Sequence, residues 1–339
     1  MRRLPIFLVL DVSESMAGAP LQEVEKGIDL LQKALMSDPM ALETVHISII
    51  AFAGRARVIT PLTYILDFDT PKLTIGSGTN LTNALHCLMD EIDTKVKKNT
   101  PEEKGDWKPL VFFLTDGAPN DNCQAAIRQW KLKYGKYTTV AVLMGQNADA
   151  TALKSLTENV IVFKEATPES FKAFFKWVTA SVQTSSKELG TKGQASDDLA
   201  EKLRRNMDAD LLAEALPTEN KVDFLVLAAR CQKTRKPYIM RYVRKDGSRI
   251  YKLDGAYPVE ESYFELSEAS GDAQSISAGS IDGKAAPCPH CGNPILGYDH
   301  ACDKYLCLHP GHLYNVKCPW CGDVSNYGGE VRSLTGGRG

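Results

Sequence analysis

Short apolar runs alternate with helix-patterned segments over residues 4–180 of the chain. The runs are rich in β-branched and aliphatic residues and are too short for helices, so they predict buried strands. Regular alternation of such strands with helices is typical of an α/β domain with a mostly parallel sheet. The predicted strands are Leu4–Leu10, Val45–Ala53, a shorter one near Arg57–Thr60, Leu110–Leu114, Thr138–Leu143 and Val160–Phe163.

The segments between these runs carry apolar residues at helical spacing. The first helix has Pro20 in its first turn, where proline is tolerated, and an apolar stripe from Leu21 to Leu35. The final helix, Pro168–Val182, has a stripe rich in phenylalanine, which packing against the sheet explains more simply than a cofactor does. The other helices are predicted to begin near Asn80, Cys123 and Ala150.

Changes in composition predict the end of this domain and the organisation of the rest of the chain. Residues 184–198 are rich in Ser, Gly, Lys and Thr, as flexible linkers are. A helical stretch, Leu199–Leu216, precedes Tyr-, Ile- and Val-rich runs separated by Asp-Gly pairs, which favour hairpin turns. The predicted organisation is an α/β domain at 1–183, a linker at 184–198, a helix plus β-rich basic module at 199–266, a second linker at 267–284 and a cysteine-rich domain at 285–326.

Composition and charge indicate an ordinary globular protein. Of the 339 residues, 43% are hydrophobic and 24% charged, and the net charge of -2 gives no global reason to expect nucleic acid. The start, Met1-Arg2-Arg3 and then Leu4–Leu10, looks like a signal peptide, but Asp11 ends the apolar run and no small-residue cleavage site comes after it. We therefore expect a buried first strand and a cytoplasmic protein without membrane contact.

Three polar segments follow or flank the predicted strands. They are Asp11-Val12-Ser13-Glu14-Ser15, Ser77-Gly78-Thr79-Asn80 and Thr115-Asp116-Gly117. Because an open parallel sheet presents its ligand crevice at the carboxyl ends of its strands, these segments are expected to meet. Hydroxyls and carboxylates suit hard divalent cations such as Mg²⁺, which keep some water. The sequence therefore predicts a divalent cation site that is incomplete without a further ligand.

These motifs resemble those of the von Willebrand factor A domain and its metal-ion-dependent adhesion site. The resemblance lies in Asp-x-Ser-x-Ser at Asp11–Ser15, in Thr79 and in Thr-Asp-Gly at Thr115–Gly117. It implies a Rossmann-like, doubly wound, mostly parallel sheet over about residues 4–180. It also implies that an acidic residue of a protein partner fills the open position on Mg²⁺ or Mn²⁺. In the implied site Ser13, Ser15 and Thr79 face the metal, and Asp11 and Asp116 act directly or through water.

Two other interpretations of the same residues are available. Asp11 and Ser13 can cap a helix or turn, and Asp116-Gly117 can be only a turn, since Asp and Ser favour both. Alternatively, Asp11 can be a phosphoryl-accepting nucleophile in a Mg²⁺-dependent phosphohydrolase. Such enzymes place a second acid two residues on, where this chain has Ser13, and no His or Lys adjoins the motif as a general base.

Six of the nine cysteines crowd into the last fifth of the chain. Cys288-Pro-His-Cys291-Gly and Cys318-Pro-Trp-Cys321-Gly are knuckles in which two thiolates can bind one zinc ion. Without a secretory signal, a metal site is more plausible than a disulfide framework. The predicted ligands of one or two Zn²⁺ are Cys288, Cys291, Cys302, Cys307, His309, His312, Cys318 and Cys321, with His300 a weaker candidate and the pairing left open.

A closed four-ligand zinc site is structural, and a module this short needs metal to fold. Catalytic zinc and redox cysteines are the alternatives. A von Willebrand factor A domain followed by this zinc-ribbon-like module resembles the TerY family of tellurium-resistance proteins. That resemblance implies a non-enzymatic protein linked to a serine/threonine kinase and a PP2C-type phosphatase in a bacterial stress response. The segment Cys302–His312 departs from the family spacing. A substrate-presenting subunit beside an AAA ATPase is a further alternative.

Between Arg230 and Lys252 nine basic residues stand against one acid, Asp246, and three tyrosines interleave with them. Basic charge with aromatic residues suits a nucleic-acid surface. In an alternating strand, however, Tyr238, Met240, Tyr242 and Ile250 can pack inward while the basic side chains face solvent. An acidic or phosphorylated protein is the third possible partner. The function most consistent with the whole chain is a metal-dependent protein-binding adaptor, with nucleic-acid binding as the alternative.

Overall fold

A computed structural model describes residues 2–116, 119–144, 150–192, 223–245, 248–267, 274–283, 285–328 and 333–337. These residues divide into two compact units. The first contains the described residues up to Lys192, apart from two short segments, Ser13–Ala17 and Thr74–Gly78. The second contains those two segments and the described residues from Asp223 onward.

A six-stranded sheet forms the centre of the first unit, in the order β3-β2-β1-β4-β5-β6. Every neighbouring pair is parallel except β2 and β3, which are antiparallel. This confirms the predicted mostly parallel α/β fold. The strands are β1 (Leu4–Asp11), β2 (Val45–Phe52), β3 (Ala56–Tyr64), β4 (Leu110–Thr115), β5 (Thr138–Met144) and β6 (Val160–Phe163).

Helices cover both faces of this sheet. On one face, Phe7 and Val9 of β1 share an apolar core with residues of α3, α4 and α5. Elsewhere in the unit α1 packs against α6, where Gly27 lies against the ring of Phe175. Burial on both faces explains why the strands read as continuous apolar runs. The helices are α1 (Ala19–Met36), α2 (Pro39–Thr44), α3 (Leu81–Lys95), α4 (Gln124–Tyr134), α5 (Thr151–Leu156) and α6 (Pro168–Lys192).

Two elements differ from the sequence-based expectation. β3 spans Ala56–Tyr64, well beyond the predicted Arg57–Thr60, because it pairs along most of β2 despite Pro61 at this sheet edge. α6 continues to Lys192, into the segment 184–198 expected to be a linker. Its extension is anchored where the Ser186 hydroxyl lies 2.8 Å from that of Thr44. The predicted helix Leu199–Leu216 lies outside the described residues.

The second unit is built on a five-stranded sheet in the order β11-β12-β7-β8-β9. The pairing of β12 with β7 is parallel and joins the predicted basic module and cysteine-rich domain in one sheet. A short helix, α7 (Ser262–Leu266), follows β9. The strands of this sheet are β7 (Asp223–Arg230), β8 (Pro237–Arg244), β9 (Lys252–Pro258), β11 (Ile295–Asp299) and β12 (Lys304–Leu308). Two further strand pairs form separate two-stranded sheets: β10 (Gln274–Ser277) with β15 (Ser333–Gly336), and β13 (Val316–Lys317) with β14 (Val324–Ser325).

Replacement of Gly27 by alanine is expected to destabilise the first unit. A Cβ at this position would lie 1.9 Å from Cδ2 of Phe175, so α1 and α6 would have to separate. Overpacking costs about 1–3 kcal/mol and exceeds the gain in helix propensity of about 1 kcal/mol when the overlap is this severe. Urea unfolding followed by tryptophan fluorescence should show a lower midpoint for Gly27→Ala. Gln22→Ala, at an exposed position of the same helix, should leave the urea midpoint unchanged.

Candidate metal centres

Asp11 is the last residue of β1 and is 1% exposed. β1 lies between β2 and β4, and Leu10 is opposite Leu114 in the parallel register. The next residues along the two strands are therefore Asp11 and Thr115, and the Thr115 hydroxyl donates a 2.5 Å hydrogen bond to Oδ2 of Asp11. The register thus fixes a buried carboxylate and a hydroxyl together at the carboxyl edge of the sheet.

Backbone hydrogen bonds tie the segment before α3 to the same edge. The amide of Asn80 donates to the carbonyl of Ala53, just after β2, at 2.8 Å, and the amide of Asn120 donates to the carbonyl of Thr79 at 3.0 Å. Thr79 is 3% exposed, and Asp116 follows Thr115 directly. The segments before α3 and after β4 are therefore joined at Thr79, as the strand-end argument predicts.

Ser13 and Ser15 complete the predicted donor set. Ser13 is fully buried, and its Oγ lies 2.9 Å from Oγ of Ser15. Val12, which connects Ser13 to Asp11, donates its amide to the carbonyl of Phe52 at 2.9 Å. Every predicted ligand here is an oxygen donor, and buried hydroxyls with carboxylates fit Mg²⁺ or Mn²⁺ rather than a soft metal.

The second unit contains two clusters of metal-ligating side chains. Cluster 1 is Cys231, Cys288, Cys291 and Cys307, and cluster 2 is Asp299, Cys302, Cys318 and Cys321; within each, the ligand atoms lie within 4.8 Å of one another. The Sγ atoms of Cys291 and Cys307 are 3.6 Å apart, and those of Cys302 and Cys318 are 3.8 Å apart. Tetrahedral zinc with bonds of about 2.3 Å places sulfurs about 3.8 Å apart. A disulfide would need about 2.05 Å, so these distances fit zinc.

This grouping differs from the ligand set expected from sequence. His309 and His312 lie in neither cluster; they form a backbone bridge with each other, and their ring centroids are 6.1 Å apart. Cys231 and Asp299 take part in their place. The six cysteines predicted near the C-terminus are all brought together, three in each cluster.

Both predicted knuckles have the same backbone hydrogen bonds. The amide of Cys288 donates to the carbonyl of Asn293 at 2.9 Å, and the amide of Gly292 donates back to Cys288 at 2.8 Å. The equivalent bonds of Cys318 involve Asp323 and Gly322. The two glycines have φ of 77° and 82°, a left-handed conformation that favours glycine and turns the chain after the second thiol.

One candidate ligand that sequence reasoning missed, Cys231, lies in a third turn of this shape. Its amide donates to Lys236 at 2.9 Å, and the amide of Arg235 donates to the Cys231 carbonyl at 2.8 Å. Arg235 has a φ of 61°, although it is not glycine. The sequence does not show the Cys-x-x-Cys-Gly motif here, because Thr234 occupies the position of the second cysteine and Arg235 occupies that of the glycine.

Asp299 is the other missed candidate ligand, and it precedes Cys302 at the same spacing. The following residue, Asp303, has a φ of 55°, so this turn also ends in the left-handed region. Asp-x-x-Cys therefore replaces Cys-x-x-Cys here. In the sequence, this residue is marked by its place three positions before a cysteine that has no Cys-x-x-Cys partner. The turn lies in the hairpin between β11 and β12.

Both clusters contain thiols with raised pKa values, whereas burial of Cys231 is outweighed by hydrogen bonds with Thr234, which lower its pKa to about 7. Burial raises the pKa of Cys288 to about 11, and burial together with contacts to Cys321 and Cys318 raises that of Cys302 to about 12. Burial also acts on Asp299, but hydrogen bonds from Cys318 and from the amide of Ala301 outweigh it and hold its pKa below the usual value. Because crowded thiols resist ionisation alone, a metal ion would supply the positive charge that makes them thiolates.

Three of the nine basic side chains of this stretch form ion pairs among the described residues of the second unit. Arg230 contacts Glu261 at 2.6 Å, Arg241 contacts Asp254 at 2.7 Å, and Arg244 pairs with Asp223. The tyrosines of this stretch, Tyr238, Tyr242 and Tyr251, are buried together with Met240, whereas Ile250 is 44% exposed. Buried rings cannot stack on bases, so the inward-packing interpretation explains all of these residues except Ile250.

The fold and the strand-end oxygens define an A-type domain, and the family comparison agrees. The model of the von Willebrand factor type A domain matches residues 6–177, and the chain belongs to that family. The model described as the TerY-C metal binding domain matches residues 221–339. Both resemblances seen in the sequence are thereby confirmed. Domains of these two kinds are typically interaction or metal-binding modules rather than enzymes.

Solved structures with A-type folds are only distantly similar. A von Willebrand factor type A protein from Catenulispora acidiphila is 13% identical, with 80% of this chain and 70% of that chain covered and a TM-score of 0.43. Proximal thread matrix protein 1 from the mussel byssus, with a zinc occupied MIDAS motif, is 16% identical over 53% of this chain and 48% of its own, with a TM-score of 0.40. The chain thus spans about half the length of the mussel protein. No curated protein matches.

Among the residues that the structure describes, no helix has the length and apolar character needed to cross a bilayer.

Replacement of Cys231 should remove the metal of cluster 1. The wild-type chain is expected to contain about two zinc ions, since each four-ligand cluster holds one. Cys231→Ser should lower the content to about one, because three remaining thiolates and a hydroxyl bind zinc poorly. Elemental mass spectrometry of the purified protein measures this ratio, and Cys123→Ser, a buried cysteine outside both clusters, should retain about two.

A matched experiment separates Asp299 from the two histidines. Asp299→Ala should lose the zinc of cluster 2, whereas the double substitution of His309 and His312 by alanine should retain both ions. Loss of zinc from the histidine variant, with Asp299→Ala unaffected, would show that the ligand set read from the structure is wrong.

Proposed function

We propose that the chain is a non-enzymatic adaptor that captures protein partners through a divalent cation at the strand-end site. The observation that carries this proposal is the buried Asp11 carboxylate, bonded to Thr115 and followed in the chain by the Ser13–Ser15 hydroxyl pair. A-type domains generally mediate protein–protein interactions, which supports a binding role.

Each predicted residue has a separate role in this proposal. Ser13, Ser15 and Thr79 bind Mg²⁺ or Mn²⁺ through neutral hydroxyls, and Asp11 and Asp116 hold it directly or through water. Because neutral ligands leave the cation much of its positive charge, a carboxylate from the partner binds favourably at the open position. The partner residue is therefore an Asp or Glu.

Zinc in clusters 1 and 2 stabilises the second unit. The ligands alternate along the chain: Cys288 and Cys291 belong to cluster 1, Asp299 and Cys302 to cluster 2, Cys307 to cluster 1, and Cys318 and Cys321 to cluster 2. Two metal ions bound in this interleaved order would fix every loop between the ligands. In a small unit, metal binding of this kind supplies folding free energy that the apolar core lacks.

The partners proposed are a serine/threonine kinase and a PP2C-type phosphatase of a bacterial stress-response system related to tellurium resistance. Support comes from the match to the TerY-C domain beside an A domain, the combination found in that family. The proposed compartment is the cytoplasm, where reduced thiols remain available to zinc.

A phosphohydrolase mechanism fits the structure less well. A nucleophilic Asp11 would have to reach a phosphoryl group, but it is 1% exposed and its Oδ2 accepts the Thr115 hydroxyl. This carboxylate is placed to support neighbouring oxygens rather than to attack a substrate.

Asp11→Asn is expected to weaken Mn²⁺ binding about tenfold or more, because it removes the buried charge that supports the cation. Free Mn²⁺ measured by electron paramagnetic resonance reports the affinity directly. Co-purification with the kinase and phosphatase encoded in the genomic neighbourhood should fall in parallel. Asp69→Asn, at an exposed carboxylate of the same unit, should change neither quantity.

Mn²⁺ and Mg²⁺ are best removed before this experiment by gel filtration, since EDTA would also strip zinc from the cysteine clusters. Equal co-purification of wild-type protein and Asp11→Asn, with zinc retained in both, would contradict capture through a bridging cation.

A further inference from the structure

The segment Ser13–Ala17, here called the serine loop, belongs to the second unit together with the cysteine clusters. Its second residue, Glu14, is 1% exposed although it carries a carboxylate. The hydroxyl of Tyr263 in α7 donates to Oε1 of Glu14, and the hydroxyl of Ser77 donates to Oε2 at 3.2 Å. The residue between the two candidate metal-binding serines is therefore fixed by a buried tyrosine.

Arg241 of β8 holds the backbone of the same loop. Its Nη1 donates to the carbonyls of Glu14 at 2.9 Å and Ser15 at 2.6 Å. The guanidinium is in turn oriented by Asp254, which accepts from Nε at 2.7 Å. An arginine that is only 8% exposed and is bonded to backbone carbonyls acts as a rigid clamp rather than as a surface charge.

A further contact fixes the Ser77 segment, Thr74–Gly78, which also belongs to the second unit. The amide of Ser77 donates to Oγ of Ser267 at 2.9 Å, and that hydroxyl donates to the carbonyl of Tyr263 at 2.6 Å. Tyr263 thus connects the serine loop and the Ser77 segment through its side chain and its backbone.

The clamp is part of the sheet that carries cluster 1. Arg241 is opposite Val226 in the β7–β8 register, and Cys231 follows the end of β7. Tyr238 and Met240 of β8 share one apolar cluster with Cys231 and the other cysteines of cluster 1. Metal binding at cluster 1 would therefore order the strand from which Arg241 reaches the serine loop.

We propose that Arg241 and Tyr263 are positioning residues for Ser13 and Ser15, and that through them zinc in the second unit raises the affinity of these two serines for a divalent cation. This inference rests on the proposed function, because it requires that the site bind Mg²⁺ or Mn²⁺. A fixed loop presents its hydroxyls without an ordering cost at binding. Since coupling between two sites is reciprocal, loss of zinc should weaken Mn²⁺ binding.

The test measures Mn²⁺ affinity of the full chain by electron paramagnetic resonance, with zinc content measured on the same samples. Arg241→Gln and Tyr263→Phe should each weaken Mn²⁺ binding about tenfold, within the usual range of coupling between sites. Arg241→Lys should restore most of the affinity, because an ammonium can still donate to the loop carbonyls. Wild-type protein treated with a zinc-selective chelator should resemble Arg241→Gln.

Arg244→Gln is the matched control, since Arg244 lies on the same strand but pairs with Asp223. It should bind Mn²⁺ as the wild type does. Tyr263→Phe keeps the ring and its packing. It therefore tests the positioning role even if Arg241→Gln loses zinc or fails to fold. Wild-type affinity in Tyr263→Phe with zinc in place would overturn the positioning role while leaving the proposed function intact. If wild-type protein itself binds no Mn²⁺, the proposed function fails, and this inference with it.

Discussion

The candidate adhesion site depends on the parallel pairing of β1 between β2 and β4. β1 is buried along its whole length, so a slip of one residue would exchange its two apolar faces and drive Asp11 into the core. Hydrophobic burial thus fixes the register, and the register fixes where the polar residues begin. The carboxylate of Asp11 and the hydroxyl of Thr115 meet because both strands end at the same level.

In the second unit, two clusters of metal-ligating side chains lie beside an apolar core. Four turns share one backbone feature: a candidate ligand is followed four positions later by a residue with positive φ. These residues are Arg235, Gly292, Asp303 and Gly322. Repeating the turn places eight ligands in two clusters with interleaved order. The arrangement makes the basic strands β7 and β8 part of the metal-binding unit.

The sequence predicted the α/β fold and most strand limits of the first unit, because burial on both faces leaves long apolar runs. It also predicted that six cysteines gather as candidate ligands, four of them in Cys-x-x-Cys-Gly motifs, which have a distinctive spacing. It missed Cys231 and Asp299 because each lies in a knuckle that lacks the usual cysteine pair and glycine, and only the strand pairing of β12 with β7 brings Cys231 to Cys307. Likewise, the roles of Arg241 and Tyr263 depend on contacts distant in sequence, which composition could not show.

We propose that one chain binds two kinds of metal at residues of different chemistry. Anomalous diffraction from crystals grown with Mn²⁺, recorded at the zinc and manganese edges, distinguishes the two metals and locates each. We expect zinc peaks within cluster 1 and cluster 2 and a manganese peak beside Ser13, Ser15 and Thr79. Zinc bound by His309 and His312, or manganese absent from the end of β1, would show that this assignment is wrong.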